Sequence, residues 1–133
     1  MIRSLVIDTM ATILLAEDDE SVRAFVKRAL ESDGHQVEPA EDGGRAMEIL
    51  TRKNGAFDLL LSDIKMPMMD GIALTLNAAR NWPKLKIVLM TGFADQRERA
   101  YGLDDLVEDI IQKPFTLTEI RQAVGRVLAC AAQ

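Results

Sequence analysis

Cysteine is almost missing from this sequence: Cys130 is the single one among 133 residues. A disulfide framework is therefore excluded, and a reducing compartment such as the cytoplasm is the natural setting. Positive charge is not in excess either. Sixteen Lys and Arg stand against 21 Asp and Glu, interspersed, for a net charge of −5. That balance leaves no basic footprint for nucleic acid or an anionic membrane surface. No apolar run approaches the ~20 residues that span a bilayer. The apolar stretch from Thr12 to Ala16 runs straight into Glu17-Asp18-Asp19, whereas a secretory signal ends at a small-residue cleavage site. Internal repeats, low-complexity tracts and linkers are lacking too. The length suits one domain, and nearly half the residues are apolar, enough for one sizeable core. Residues 1–10 read as an N-terminal extension, disordered or a non-native start, with the domain spanning 11–133.

Four short apolar runs are present: Ile13 to Ala16, Phe57 to Leu61, Ile87 to Met90, and Ile110-Ile111. They are too short for helices and do not alternate with polar residues. This suits strands of a parallel sheet covered on both faces. A weaker strand is expected from His35 to Ala40, centred on Val37. Helical spacing fills the gaps. From Glu20 to Ser32, Val22, Phe25, Val26, Ala29 and Leu30 make one apolar stripe, ended by Asp33-Gly34. Asp42 to Arg52 repeats the pattern and stops at Asn54-Gly55. Asp70 to about Arg80 stops before Pro83. A marginal helix is expected over Asp95 to Asp105, weakened by Gly102 within it. Thr116 and Glu119 then form a capping box for a helix striped by Leu117, Ile120, Val124, Val127 and Leu128. The order is β-α five times over. The expected fold is a (βα)5, doubly wound, five-stranded parallel sheet, in which the functional crevice lies at the carboxyl ends of the strands.

Chemistry-bearing residues sit at four of those five ends: Glu17-Asp18-Asp19, Asp63 after Ser62, Thr91-Gly92, and Lys113-Pro114. The first loop has no glycine with which to cradle a phosphate. Its acids repel bare phosphate and attract a hard divalent cation, and Mg2+ suits carboxylate, carbonyl and water oxygens. Asp63 reads as a nucleophile able to form an acyl phosphate. Lys113 supplies a cation for the phosphoryl oxygens, and Thr91 a hydroxyl that can turn toward them.

With these residues in place, the sequence resembles the CheY-like receiver domains of two-component response regulators over about Thr12 to Ala129. The resemblance rests on Glu17-Asp18, on Leu-Ser-Asp63-Ile-Lys-Met-Pro-x-Met-Asp-Gly, on Met-Thr91-Gly, and on Lys113-Pro114-Phe115. It implies that Asp63 is the phospho-acceptor, Thr91 the switch hydroxyl and Lys113 the partner of the phosphoryl group. It makes Asp18 the direct Mg2+ ligand, with Glu17, Asp63 and the Lys65 carbonyl completing the protein's share; Asp19 is the alternative to Glu17. It also implies a cis Lys113-Pro114 bond. The family's Tyr or Phe three residues before the lysine is here Ile110, so a switch by ring rotation is replaced by repacking around Ile110.

Several residues have plainer readings. His35 reads as a surface histidine, and Met66, Met68 and Met69 as shapers of the loop around Pro67. Trp82 reads as packing at a helix end and the Arg97-Glu98-Arg99 run as a solvated face, while Phe93, two residues after Thr91, carries an exposed gate to the pocket as its minority reading. The resemblance implies a non-enzymatic, single-domain regulator charged by a histidine kinase or histidine phosphotransfer protein. Its output would pass to another protein through the face made by the 95–105 helix, the fifth strand and the last helix, including Arg97, Arg99 and Tyr101. The Leu-Leu-Ala-Glu-Asp-Asp opening, Thr91-Gly-Phe and Lys-Pro-Phe are similar to the CpdR family of alphaproteobacterial regulators, implying a phosphorylation-controlled adaptor for the ClpXP protease. The alternatives are a phosphorelay shuttle and, more remotely, an aspartyl-nucleophile phosphohydrolase. The latter commonly carries a second acid where this chain has Lys65.

Overall fold

The computed structural model describes residues 10–92, 100 and 102–130. Strands β1 (Thr12–Ala16), β2 (Gln36–Ala40), β3 (Leu59–Asp63), β4 (Lys86–Thr91) and β5 (Asp109–Gln112) form one sheet in the order β2-β1-β3-β4-β5. All four pairings are parallel. Helices α1 (Glu20–Glu31), α2 (Gly43–Arg52), α3 (Gly71–Asn81) and α4 (Leu117–Cys130) lie among the strands. The strand order reverses between β1 and β3, which places a crevice beyond the ends of those two neighbours.

Alternation along each strand divides the core into two layers. Leu14, Leu60, Ile87 and Leu89 pack with Ala46, Ile49 and Leu50 of α2 and Leu74 and Ala78 of α3. Ile13, Leu15, Leu59, Leu61, Val88 and Met90 pack with Val26, Ala29 and Leu30 of α1 and Ile120, Val124 and Val127 of α4. Helices therefore cover both faces, and the runs in β1, β3 and β4 are apolar on each. β2 is weaker in sequence because it is an edge strand, where Pro39 is tolerated.

Each helix start has a chemical cause. Asp19, Asp42 and Asp70 cap α1, α2 and α3 by accepting the amides of Val22, Arg45 and Ala73. At α4 the Thr116 amide donates to Glu119 and the Glu119 amide to the Thr116 hydroxyl, the expected reciprocal box. Trp82 ends α3, and its indole N–H donates to Asn54 Oδ1 at 3.2 Å.

Three expectations change. The third strand begins at Leu59, because Phe57-Asp58 instead closes the bottom of β1: the Asp58 amide donates to the Thr12 carbonyl, and the Asp58 carboxylate accepts the Thr12 amide. His35 is buried, at 7 % exposure, and its Nδ1 accepts the Ala11 amide at 3.0 Å. Gly102 adopts φ +97, a left-handed turn conformation, and residues 104–106 are turn. It therefore cannot sit inside a helix running to Asp105, and its helix-weakening role falls away. Most of the expected 95–105 helix, with Phe93, Arg97, Arg99 and Tyr101, lies outside the described residues.

Candidate functional site

The carboxyl ends of β1, β3 and β4 and the loop after β5 converge. Asp63 and Thr91 are the last residues of β3 and β4, so strand pairing fixes their backbones before any side chain is considered. Lys113 follows β5 directly, and its amide donates to the Thr91 carbonyl at 2.7 Å. The Lys113-Pro114 bond is cis, as expected.

Lys113 joins the two ends of the chain. Its Nζ lies 2.7 Å from Glu17 Oε1 and 3.3 Å from Asp63 Oδ2. Glu17 is fully buried, whereas Asp18 is exposed. Carboxylate oxygens of Glu17, Asp18 and Asp63 lie within 4.8 Å of one another. Asp63 Oδ1 accepts the Ile64 amide at 3.0 Å, leaving Oδ2 to face the ammonium. Thr91, the last residue of the neighbouring strand β4, is buried.

Electrostatics follow from burial. Desolvation pushes the Glu17 carboxyl up to about 7, against the lowering effect of the Lys113 bond and the Asp19 amide. Burial raises Asp63 as well, opposed by Lys113. Burial acts to depress Lys113, but its bond to Glu17 and the charge of Asp63 outweigh it and raise that pKa. One ammonium therefore pairs with two of the three clustered acids, Glu17 and Asp63, with Asp18 alongside them.

That donor set fits a hard divalent cation: clustered carboxylates, one partly exposed side, and a lysine that cannot neutralise them all. Asp18, Asp63 and Glu17 are brought together as anticipated. Lys65 borders the same cleft. Asp19 is not part of the cluster, since its carboxylate is spent on capping α1.

Two features escaped the sequence reading. Phe25, expected on the core stripe of α1, is 39 % exposed and lines the cleft with Val22 and Phe115, giving an opening of about 590 Å3 an apolar wall. Arg23 donates through Nη1 to the Glu17 carbonyl at 2.8 Å. An arginine one turn into a helix after an acidic loop was a signal available in the sequence. Ile110 is partly buried against the α2–α3 layer, as its aliphatic side chain allows. Met66 is buried in the loop after Asp63, whereas Met68 is 85 % exposed at φ +71.

A family model for the response regulator receiver domain matches residues 13–125, and the chain belongs to that family of two-component signalling modules. The sheet agrees: a CheY-like receiver domain protein from Methanospirillum hungatei JF-1 superposes with a TM-score of 0.83 at 28% identity, covering 92% of this chain and 97% of that one. Among individual proteins, the chain is similar to the response regulator receiver protein CpdR of Brucella abortus, 40% identical over 127 residues, covering 92% of this chain and 100% of that protein. It is also 34% identical over 118 residues to the sensor kinase CckA of Brucella abortus, covering 89% of this chain but spanning 12% of the kinase. Among the described residues, no helix is long and apolar enough to cross a membrane.

Proposed function

We propose that this chain is a phosphorylation-controlled binding module in which Asp63 accepts one phosphoryl group from a histidine kinase or histidine phosphotransfer protein. The observation that carries the reading is the placement of Lys113 Nζ between Glu17 and Asp63, with Asp18 alongside, at the strand ends of a receiver fold. An Asp63 carboxylate oxygen attacks phosphorus as the bond to the donor's leaving nitrogen or oxygen breaks. Lys113 faces the charge that gathers on the phosphoryl oxygens, and the Ile64 amide holds the other carboxylate oxygen still. Asp18 and Asp63, with Glu17 and the Lys65 carbonyl, would hold Mg2+, which supplies further neutralisation of the phosphoryl oxygens. Thr91 is the hydroxyl through which the new group is sensed.

The similarity to CpdR along that protein's whole length supports output by protein–protein contact, with a protease adaptor of the CpdR kind as the finer reading. The shuttle reading draws support from the similarity to part of a sensor kinase. A small acyl phosphate plus Mg2+ should add one phosphoryl group by intact-mass spectrometry, and Asp63→Asn should abolish the uptake. Full uptake by that variant would sink the reading. Phosphate returning rapidly to a histidine protein would favour the shuttle; a long-lived acyl phosphate with phosphate-dependent capture of a protein partner would favour the adaptor.

A further inference from the structure

Glu17 to Asp19 is tied down on every side but one. The Glu17 amide donates to the Ala40 carbonyl at 3.0 Å, anchoring the loop to β2. The Asp19 amide donates to Glu17 Oε2 at 3.0 Å, and the Asp19 carboxylate accepts the Val22 amide at 3.0 Å. Asp18 is left at the exposed vertex, its carboxylate within reach of Glu17 and Asp63. What orients that vertex is the peptide plane joining Glu17 to Asp18, because a planar peptide carries the Asp18 Cα with it. The carbonyl of that plane is held by Arg23 Nη1 at 2.8 Å in a partly buried bond.

We infer that Arg23 is a positioning residue for the cation site: by clamping the Glu17 carbonyl it fixes the direction of the Asp18 carboxylate, and so sets Mg2+ affinity. The inference rests on the pocket proposed above. The chemistry is that of an outer partner, which touches neither cation nor phosphoryl group but orients a ligand; losing such partners typically costs ~10–100-fold in metal affinity. Arginine suits the task because its planar fork loses little freedom when one N–H is engaged.

The sign of the effect separates this role from the simpler electrostatic one. A guanidinium near an anionic cluster repels an incoming dication, so as a bare charge its removal would tighten Mg2+ binding. As a clamp, its removal loosens binding. The experiment is calorimetric titration of MgCl2 alone into the unphosphorylated chain, with thermal melts in EDTA run alongside. Arg23→Ala should raise the Mg2+ Kd about tenfold or more. Arg23→Lys, which can still reach a carbonyl with one donor, should recover part of it. A Kd within twofold of wild type, or a tighter one, overturns the clamp. So does a lowered EDTA melting temperature with Mg2+ affinity intact, which marks a merely structural tie. Should Arg23→Ala fail to fold, Arg23→Met, which keeps much of the length but has no donor, carries the comparison beside Arg23→Lys, and a Met variant that binds Mg2+ as tightly as wild type would equally refute it. If the wild-type chain itself binds no Mg2+, the pocket reading fails, an outcome distinct from failure of the clamp alone.

Discussion

Gly71 touches the site from behind, and adding one methyl group there should disable it. Gly71 is the first residue of α3, and its amide donates to the Ile64 carbonyl at 2.7 Å. A Cβ on Gly71 would lie 2.1 Å from the Asp63 carbonyl oxygen and 2.9 Å from Ile64 Cα. Both are backbone atoms, so no rotamer change relieves the clash. Restoring ordinary contact requires the β3 terminus and the start of α3 to part by roughly 1 Å. Overpacking of this kind costs ~1–3 kcal/mol, or about 4–12 °C in melting temperature for a chain of this size. Moving a reacting carboxylate by about 1 Å also costs on the order of 10²-fold in rate. Gly71→Ala should therefore melt lower by circular dichroism and take up phosphoryl from a small acyl phosphate about a hundredfold more slowly. Gly125→Ala is the matched control. A Cβ at Gly125, inside α4, meets nothing within 4 Å, so that variant should gain ~0.5–1 kcal/mol from helix propensity alone and keep its rate. A Gly71→Ala protein that melts within 2 °C of wild type (about 0.5 kcal/mol) and is phosphorylated at a similar rate would refute the argument.

Other perturbations have equally defined signs. The Glu17 carboxyl is raised from 4.5 to about 7 by burial, so in metal-free buffer its contribution to stability is fullest below 4.5 and is lost as pH rises through 7; Glu17→Gln should flatten the denaturation free energy between those limits, and an unchanged slope would count against it. His35 behaves oppositely: burial lowers it from 6.5, with Asp33 and Asp58 resisting, and its neutral Nδ1 holds the Ala11 amide. Its share of stability is present above 6.5 and is lost on acidification, so Ala11 amide exchange should accelerate as His35 titrates by NMR, and indifference of that amide would exclude the coupling. Met68 is exposed at φ +71, a conformation costing a non-glycine residue ~1–2 kcal/mol; Met68→Gly should raise the urea midpoint by about 1 kcal/mol in stability, and a lowered midpoint would show that the side chain contributes more than the strain.

The sequence carried the sheet because β1, β3 and β4 are buried on both faces, so their apolar runs are unbroken. It carried Glu17, Asp18, Asp63, Thr91 and Lys113 because strand ends in a parallel sheet share one edge, whatever their separation along the chain. It did not carry the surroundings of His35, whose burial depends on Ala11, 24 residues away in sequence. Nor could helical periodicity tell Phe25 from Val26: both lie on the apolar stripe, but Val26 enters the core while Phe25, at the edge of that stripe, borders the cleft. Gly102 shows a related limit, since an isolated glycine has the same spacing inside a helix and in a left-handed turn.

The bond between Lys113 and Glu17 spans 96 positions, and that span has a consequence for synthesis. At ~5–20 residues per second, Glu17 leaves the ribosome on the order of 5–20 seconds before Lys113 does. During that interval the acids at the ends of β1 and β3 lack the ammonium that pairs with them. Until then Glu17 and Asp63 have no ion pair with Lys113. The counter-charge arrives in one step, when the edge strand β5 docks on β4 and brings in the lysine that follows it. The order of translation thus makes this ion pair a contact that only a finished sheet can close.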